Sequence, residues 1–352
     1  MNLISEIVGD FPCVREIYGR LGTMSYIPPF TITSKSINLI AEISEKIGIL
    51  TALSENPLHV ELRKKNRIRT IHSSLAIENN SLSIEQITAI IDGKRVLGAP
   101  NEIQEVKNAI QAYELLLELN PYEEKDLLRA HRLMMADLVD RNGKYRKDGV
   151  GIFDGNNVVH IAPPADRVPF LMADLFEWLK NSDVHPLIKS SVFHYEFEFI
   201  HPFQDGNGRM GRLWQTVVLK EWKSIFAWLP VETIIKERQD EYYASLSSSD
   251  TNADSTAFIE FMLTAILDEM NRNIEIQRTD RVTVKVTQKV TVNQEKIIAE
   301  LKQNPYVTQK ELSEIVGISL KSIKENMKKL QENNIILRIG PDKNGFWKIT
   351  ED

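Results

Sequence analysis

Cysteine is almost missing: Cys13 is the only one in 352 residues. That excludes an intrachain disulfide framework and a cysteine-rich zinc site, and it suits a reducing compartment, so a cytoplasmic location is expected. Long apolar runs are missing too. None approaches the roughly 18 residues that a membrane helix needs, and the opening MNLISEIVGD lacks the basic flank and apolar stretch of a secretory signal, so no membrane contact is expected. His72, His131 and His194 lie in helical runs without an HxxxH pattern, which leaves zinc catalysis with little support.

What is there is ordinary in bulk and uneven in detail. With 42% hydrophobic and 26% charged residues, the composition is that of a soluble globular protein long enough for two domains. The net charge of −6 is not spread evenly: residues 281–352 carry 13 Lys/Arg against 9 Asp/Glu, leaving 30 against 40 in residues 1–280. The change coincides with RTDRVTVKVTQKVTVNQEK, where β-branched and polar residues alternate, so a linker or short strand is expected there.

Most of the larger part reads as helix. INLIAEISEKIGILTAL, EVKNAIQAYELLLEL, EKDLLRAHRLMMADLV, VPFLMADLFEWLK and LIKSSVFHYEFEFI all repeat apolar residues every three or four positions. Pro121 and Pro186 precede helical runs, and the acids of NPYEEKD suit a first helical turn. GVGIFDGNNVVHIAPPADR differs, with Gly and Asn between two short β-prone runs, and it predicts a β-hairpin.

The segment HPFQDGNGRMGR, residues 201–212, carries the chemistry. Pro202 ends the preceding helix, and a new one begins near Arg209, so PFQDGNG is a loop between two helices. Gly206 and Gly208 permit positive φ and close backbone approach, and consecutive N–H groups before a helix make a concave anion site. Asn207 can donate an amide hydrogen bond, and Arg209 and Arg212 share a helical face from which to clamp phosphate oxygens. Asp205 is a hard oxygen ligand suited to Mg2+ beside phosphates. His201 stands at the mouth as a general-base candidate.

This segment resembles the signature of Fic-domain proteins, HxFx(D/E)GNGRxxR, at every specified position. The resemblance implies a mainly α fold, a Fic-type helical bundle with a β-hairpin flap. It also implies transfer of AMP from ATP to a Tyr, Thr or Ser hydroxyl of a target protein, with Mg2+. His201 would deprotonate the hydroxyl, Asp205 would ligate the metal, and Gly206, Asn207 and Gly208 would line the anion hole. Arg209 and Arg212 would hold the β/γ phosphates, with Met210 and Gly211 between them in the nucleotide-binding stretch, and Phe203 would anchor the loop inward. The kinase-like Doc branch has Lys where this chain has Gly208. The hairpin, with Ile152, Phe153, Val159 and His160, resembles the family's flap, which holds a target segment by strand addition. ERQDEYYASL resembles the segment whose tyrosines lie near the nucleotide base, matching Tyr242 and Tyr243.

Upstream, SLAIEN, comprising Ser74, Glu78 and Asn79 with their intervening residues, is similar to the family's inhibitory motif (S/T)xxxE(G/N). In that likeness Glu78 pairs with Arg212 and denies it to the γ-phosphate, while Ser74, one turn earlier, helps fix the helix. The tail resembles a winged helix-turn-helix: NQEKIIAELKQ, TQKELSEIVGIS with a turn at Gly317, LKSIKENMKKLQENN, then IILRIG and GFWKIT joined by PDKN. Lys321, Lys324, Lys328 and Lys329 give its third helix a basic face, suited to DNA, although such modules also serve for dimerisation or docking.

The expected layout is an N-terminal helical region at 1–100, a catalytic domain at 101–280, a linker at 281–293 and a winged helix domain at 294–352. Three readings stay open: a self-restrained adenylyltransferase, removal of AMP by the same site, and a DNA-binding regulator whose Fic domain senses nucleotide. Self-modification is expected on a flexible hydroxyl-rich loop, SLSSSDTNADS, and the resemblance also suggests a homodimer.

Overall fold

Apolar residues at helical spacing form helices throughout the first part of the chain. The computed structural model describes residues 26–53, 59–154, 157–289, 291–332, 335–340 and 345–349, which leaves Cys13 and the PDKN turn outside the described residues. The chain divides into two units, Met1–Asn273 and Ile274–Asp352. In the first, α1 (Ser34–Leu53), α2 (His59–Ile77), α3 (Ile84–Ile91), α4 (Pro100–Leu115) and α5 (Glu124–Met134) precede strands β1 (Gly151–Asp154) and β2 (Asn157–Ile161). After the strands come α6 (Val168–Asn181), α7 (Pro186–Ile200), α8 (Asn207–Trp222), α9 (Val231–Glu237), α10 (Gln239–Asn252) and α11 (Thr256–Lys289), whose residues from Ile274 on belong to the second unit.

The core centres on α7, which buries Ile188, Val192, Phe193 and Phe197 and is enclosed on every side. It packs against α6 and α8. Met210, Leu213, Trp214 and Val217 of α8 are fully buried, and the Trp214 indole N–H donates to Pro121 O at 3.2 Å. Each such side chain contributes about 1.5–3 kcal/mol, so the turn joining α7 to α8 stands on the best-anchored pair of helices. The start signals act as expected: Pro186 opens α7, and Glu124 and Asp126 lie in the first turn of α5. The hairpin is antiparallel, with Ile152 opposite His160 and a bulge between Ile152 and Phe153.

Three expectations are corrected. Helix α5 stops at Met134 instead of continuing to Val139, because Asp137 takes a left-handed φ of 59° and the chain turns back, so that Gly143 N–H donates to His131 Nδ1 at 2.8 Å. SLSSSDTNADS is no flexible loop: α10 runs to Asn252, with Ser249 and Ser255 fully buried. Its hydroxyls bond back to the helix, as Ser245 Oγ does to Tyr242 O at 2.7 Å. The stretch expected as linker or strand continues α11 as helix to Lys289. Extending an existing helix needs no new nucleus, and β-branched residues oppose it by only a few tenths of a kcal/mol each.

The second unit adds α12 (Val292–Gln303), α13 (Gln309–Val316), α14 (Leu320–Glu332) and the antiparallel pair β3 (Ile336–Ile339) and β4 (Phe346–Ile349). Its separate core gathers Leu301, Leu312, Ile323, Met327, Leu330 and Ile336. Thr308 and Glu311 form a capping box on α13, and Gly317 ends that helix at φ 76°. Among the described residues, no helix is long and apolar enough to cross a membrane.

Candidate active site

The motif loop begins with backbone strain. His201 caps α7 at φ 49° and ψ 60°, a left-handed geometry that costs a non-glycine residue about 1–2 kcal/mol. Arg146, 4% exposed, holds it there. Its Nε donates to His201 O at 2.8 Å, its guanidinium also reaches Ile200 O at 3.3 Å, and its backbone N–H donates to Pro202 O at 2.9 Å.

Phe203 anchors the loop from within. It is fully buried and stacks on the His131 ring, with centroids 3.6 Å apart and planes 11° apart. Because His131 Nδ1 accepts from Gly143 N–H, Nε2 carries the proton and donates to Asp205 O at 3.0 Å. Burial pushes the His131 pKa down to about 4, so the ring is neutral at neutral pH and fixed in this tautomer. Asn207 closes the loop: its Oδ1 accepts from Phe203 N–H and its Nδ2 donates to Phe203 O, both at 2.9 Å. The amide expected to meet a phosphate is therefore engaged with the loop itself.

Gly206 turns the chain into α8 at φ 83°, where a Cβ would lie 2.6 Å from Met135 Sδ. Gly208 is already helical, so its expected positive φ is not used. Close approach is its role: a Cβ there would press into the Glu78 carboxylate and lie 3.1 Å from an Arg212 guanidinium nitrogen. Met210 N–H already bonds to Gly206 O at 3.0 Å. The amides of Asn207, Gly208 and Arg209 precede the first intrahelical bond, the usual state of a helix start and a ready seat for an anion. The Met210 side chain is core, and Gly211 lets His194 and Glu198 approach, where a Cβ would meet them at 2.7 and 2.8 Å.

The two arginines are buried and partnered by carboxylates. Arg209 lies between Glu105 Oε1 and Asp205 Oδ1, each at 3.4 Å, while Asp205 stays 58% exposed. Arg212 donates from Nε to Ser74 Oγ at 3.2 Å and from its terminal nitrogen to Ser74 O at 3.0 Å and Glu78 Oε1 at 2.6 Å. Burial opposes the Arg212 charge, but Glu78 offsets it and holds the guanidinium pKa above its ordinary value. The pair anticipated from sequence is present. Ser74 grips Arg212 directly, a firmer role than fixing its own helix.

The geometry of α2 explains Asn79. It takes φ 68°, the left-handed position that closes the helix just after Glu78 and that Asn tolerates. Lys236 Nζ and Gln239 Nε2 then donate to the last carbonyls, Ala76 O at 2.9 Å and Ile77 O at 3.1 Å. Asn80 Nδ2 donates to Glu105 Oε2 at 2.7 Å, so the segment after α2 touches the partners of both arginines.

The Fic/DOC family model matches residues 118–219, and a winged helix-turn-helix DNA-binding model matches residues 292–336. A crystal structure of a Fic family protein from Desulfovibrio desulfuricans G20 is 48% identical with a TM-score of 0.69, over 93% of this chain and 99% of that one. The chain belongs to the Fic/DOC family. Protein adenylyltransferase Fic of Drosophila mojavensis is 27% identical over 63% of this chain and 44% of its own length, so the chain spans less than half of that relative. A Fic domain containing signaling protein from Bacteroides thetaiotaomicron VPI-5482, at 18% identity and a TM-score of 0.58 over 70% of this chain and 98% of that one, shares the fold.

In this Fic protein the outlying predicted residues take different places. Tyr242 is 2% exposed, packed against the rings of His194 and Phe258 with its hydroxyl 3.2 Å from His194 Nε2, so it is core; Tyr243 is 48% exposed and accepts from Gln239 Nε2 at 3.3 Å. The side chains of Ile152, Phe153, Val159 and His160 lie outside the described residues. Sequence reasoning missed Arg146, His131, Glu105, Glu198, Lys236 and Gln239. Burial opposes the charge of Glu198, yet His194, His201 and Arg212 hold its pKa below the usual carboxylate range. Gln239 lies within ERQDEYYASL without being singled out there, the other five stand in no functional motif read from the sequence, and a tertiary contact defines each.

Proposed function

We propose that this Fic protein transfers AMP from ATP to a hydroxyl of a target protein, and that Glu78 restrains it. The observation that carries this reading is the 2.6 Å pair between Glu78 and Arg212 inside an intact HPFQDGNGRMGR site. His201, at the mouth of the loop, would take the hydroxyl proton as that oxygen bonds to the α-phosphorus and the bond to pyrophosphate breaks. The amides of Asn207, Gly208 and Arg209 would seat phosphate oxygens, and the arginines would bind the remaining charge. Such transfer depends mostly on positioning and charge neutralisation.

The donors present suit Mg2+. Asp205 offers an exposed carboxylate beside the anion seat, and magnesium favours one or two carboxylates plus substrate phosphates. When bound, the ion would neutralise phosphate charge. Release of Asp205 from Arg209 would accompany its loading. The Glu78 bond denies Arg212 to a γ-phosphate, which is how restraint would act.

Purified wild type, Glu78→Gly and His201→Ala are incubated with α-labelled ATP and Mg2+, with and without host lysate. Label on protein is expected to rise in Glu78→Gly and vanish in His201→Ala. No label in folded, ATP-binding Glu78→Gly would rule out AMP addition and favour AMP removal or nucleotide sensing.

The winged helix supports a second activity, DNA binding by residues 294–352, since Lys321, Lys324, Lys328 and Lys329 are all exposed on α14. Reversing Lys324 and Lys328 to Glu should abolish salt-dependent duplex binding. Unchanged binding would remove α14 from that role.

A further inference from the structure

Arg146 is a buried cation whose hydrogen bonds described above all end on carbonyls. Besides Ile200 O and His201 O, its guanidinium donates to Asp148 O at 2.9 Å and to Pro163 O at 2.5 Å. Two of these acceptors are the last carbonyls of α7, the negative end of the helix dipole, where a guanidinium supplies donors that the helix lacks. Pro163 follows β2, and Ala162 N–H closes the base of the same hairpin on Val150 O at 3.2 Å. One terminal nitrogen of Arg146 thus touches both the foot of the hairpin and the end of the helix that presents His201.

This arrangement does more than fill a cap. A left-handed histidine followed by proline is a strained turn, and such strain persists only where surrounding contacts over-determine it. The Arg146 guanidinium supplies two of them on consecutive residues, the carbonyls of Ile200 and His201, while the bond from its backbone N–H to Pro202 O does not depend on the side chain. A lysine could not reproduce them, since its single ammonium cannot address the turn and Pro163 with a planar fork.

We propose that Arg146 is a positioning residue for transfer: it fixes the His201 turn and its separation from the hairpin, so that a hydroxyl held along the hairpin meets the His201 ring. The proposal rests on the reading of His201 as base and of the hairpin as target clamp. ATP would contact neither Arg146 nor the carbonyls it holds. Loss of Arg146 should therefore act on turnover and on the target more than on nucleotide affinity.

Arg146→Lys and Arg146→Met, each in the Glu78→Gly background, would be assayed for label transfer alongside ATP affinity by calorimetry. The expected result is a fall in kcat of roughly tenfold to a hundredfold, with ATP affinity within about threefold and Lys little better than Met. Unchanged kcat, or equal losses in kcat and ATP affinity, would overturn the proposal. A crystal structure of Arg146→Met in the wild-type background gives a readout independent of activity. Departure of His201 from positive φ, or a shift of the hairpin foot, is expected; an unmoved turn would overturn the proposal even if AMP transfer itself proved to be the wrong reaction.

Discussion

On the proposed reading, removing Glu78 perturbs the site at the bond where binding and restraint would compete. In the wild-type chain a γ-phosphate binding Arg212, as proposed, would first have to displace a charge-assisted hydrogen bond of 2.6 Å. Bonds to charged groups contribute about 1.5–3 kcal/mol net. The lower half of that range applies, because Glu78 is 32% exposed and Arg212 keeps two bonds to Ser74. At about 1.4 kcal/mol per decade, 1.5–2 kcal/mol is roughly a ten- to thirtyfold gain in ATP affinity for Glu78→Gly. The same loss of bond should lower the melting temperature by about 3–8 °C, at 2–4 °C per kcal/mol for a unit of this size.

Calorimetric titration of wild type and Glu78→Gly with ATP, ADP and AMP tests this. The gain should be greatest for ATP and absent for AMP, which has no group to reach Arg212. Adding Arg212→Met to Glu78→Gly should erase it. Equal gains for AMP and ATP would refute the reasoning, because Glu78 would then act by loosening the site as a whole.

The remaining predictions address other contacts. Gln239→Ala in the otherwise wild-type chain removes a donor from Ile77 O at the end of α2, so label transfer should rise above wild type yet stay below Glu78→Gly; no rise would detach Gln239 from restraint. Gly206→Ala places a Cβ at φ 83° against Met135, so stability should fall by about 1–2 kcal/mol and ATP binding should weaken; an unaltered denaturation midpoint would contradict it. Glu196, 4% exposed with Tyr26 Oη donating to it at 2.8 Å, has its pKa pushed up to about 7, chiefly by burial. Its folded value thus exceeds its unfolded value near 4.5, so its contribution to stability is full below pH 4.5 and lost as pH rises towards 7. Glu196→Gln should therefore gain on wild type by up to about 3 kcal/mol between pH 4.5 and 8; a pH-independent difference in denaturant unfolding would contradict that sign.

What could be read in advance follows from range along the chain. The helices of the core, the hairpin, the winged helix and the Glu78–Arg212 pair were legible because periodicity, turn residues or a spaced motif encode them locally. The end of α5 and the helical course of residues 245–252 and 281–289 were not. Serine hydroxyls bonding back to their own helix, and a helix that lengthens without renucleating, override composition. Within the motif, residue types were legible but not their division of labour. Asn207 locks the loop, Met210 fills the core and Tyr242 lies under His194, since burial depends on what packs from elsewhere. His131 illustrates the same limit: its partners, Gly143 N and Asp205 O, lie 12 and 74 residues away along the chain.

A site meant to hold a polyphosphate must concentrate cations, and buried cations without counter-charge are costly when the ligand is away. Arg209 and Arg212 are 4% and 3% exposed, so each needs a carboxylate in the resting protein. Glu105 and Asp205 serve the first, Glu78 the second, with Glu198 behind it. On the proposed reading, restraint would follow from the same electrostatics that keep the site folded, because the groups that stabilise the arginines are those a nucleotide would have to displace. The difference between the carboxylates lies in where they stand. Glu198 is on α7 beneath the motif and remains when Glu78 is removed, which is why Glu78→Gly should fold. Glu78 stands at the end of α2, one residue before the left-handed Asn79, and is 32% exposed. If Glu78 restrains transfer as proposed, its place at a helix end whose last carbonyls accept from Lys236 and Gln239 would let it be withdrawn, whereas a carboxylate serving stability alone could stand on α7, as Glu198 does.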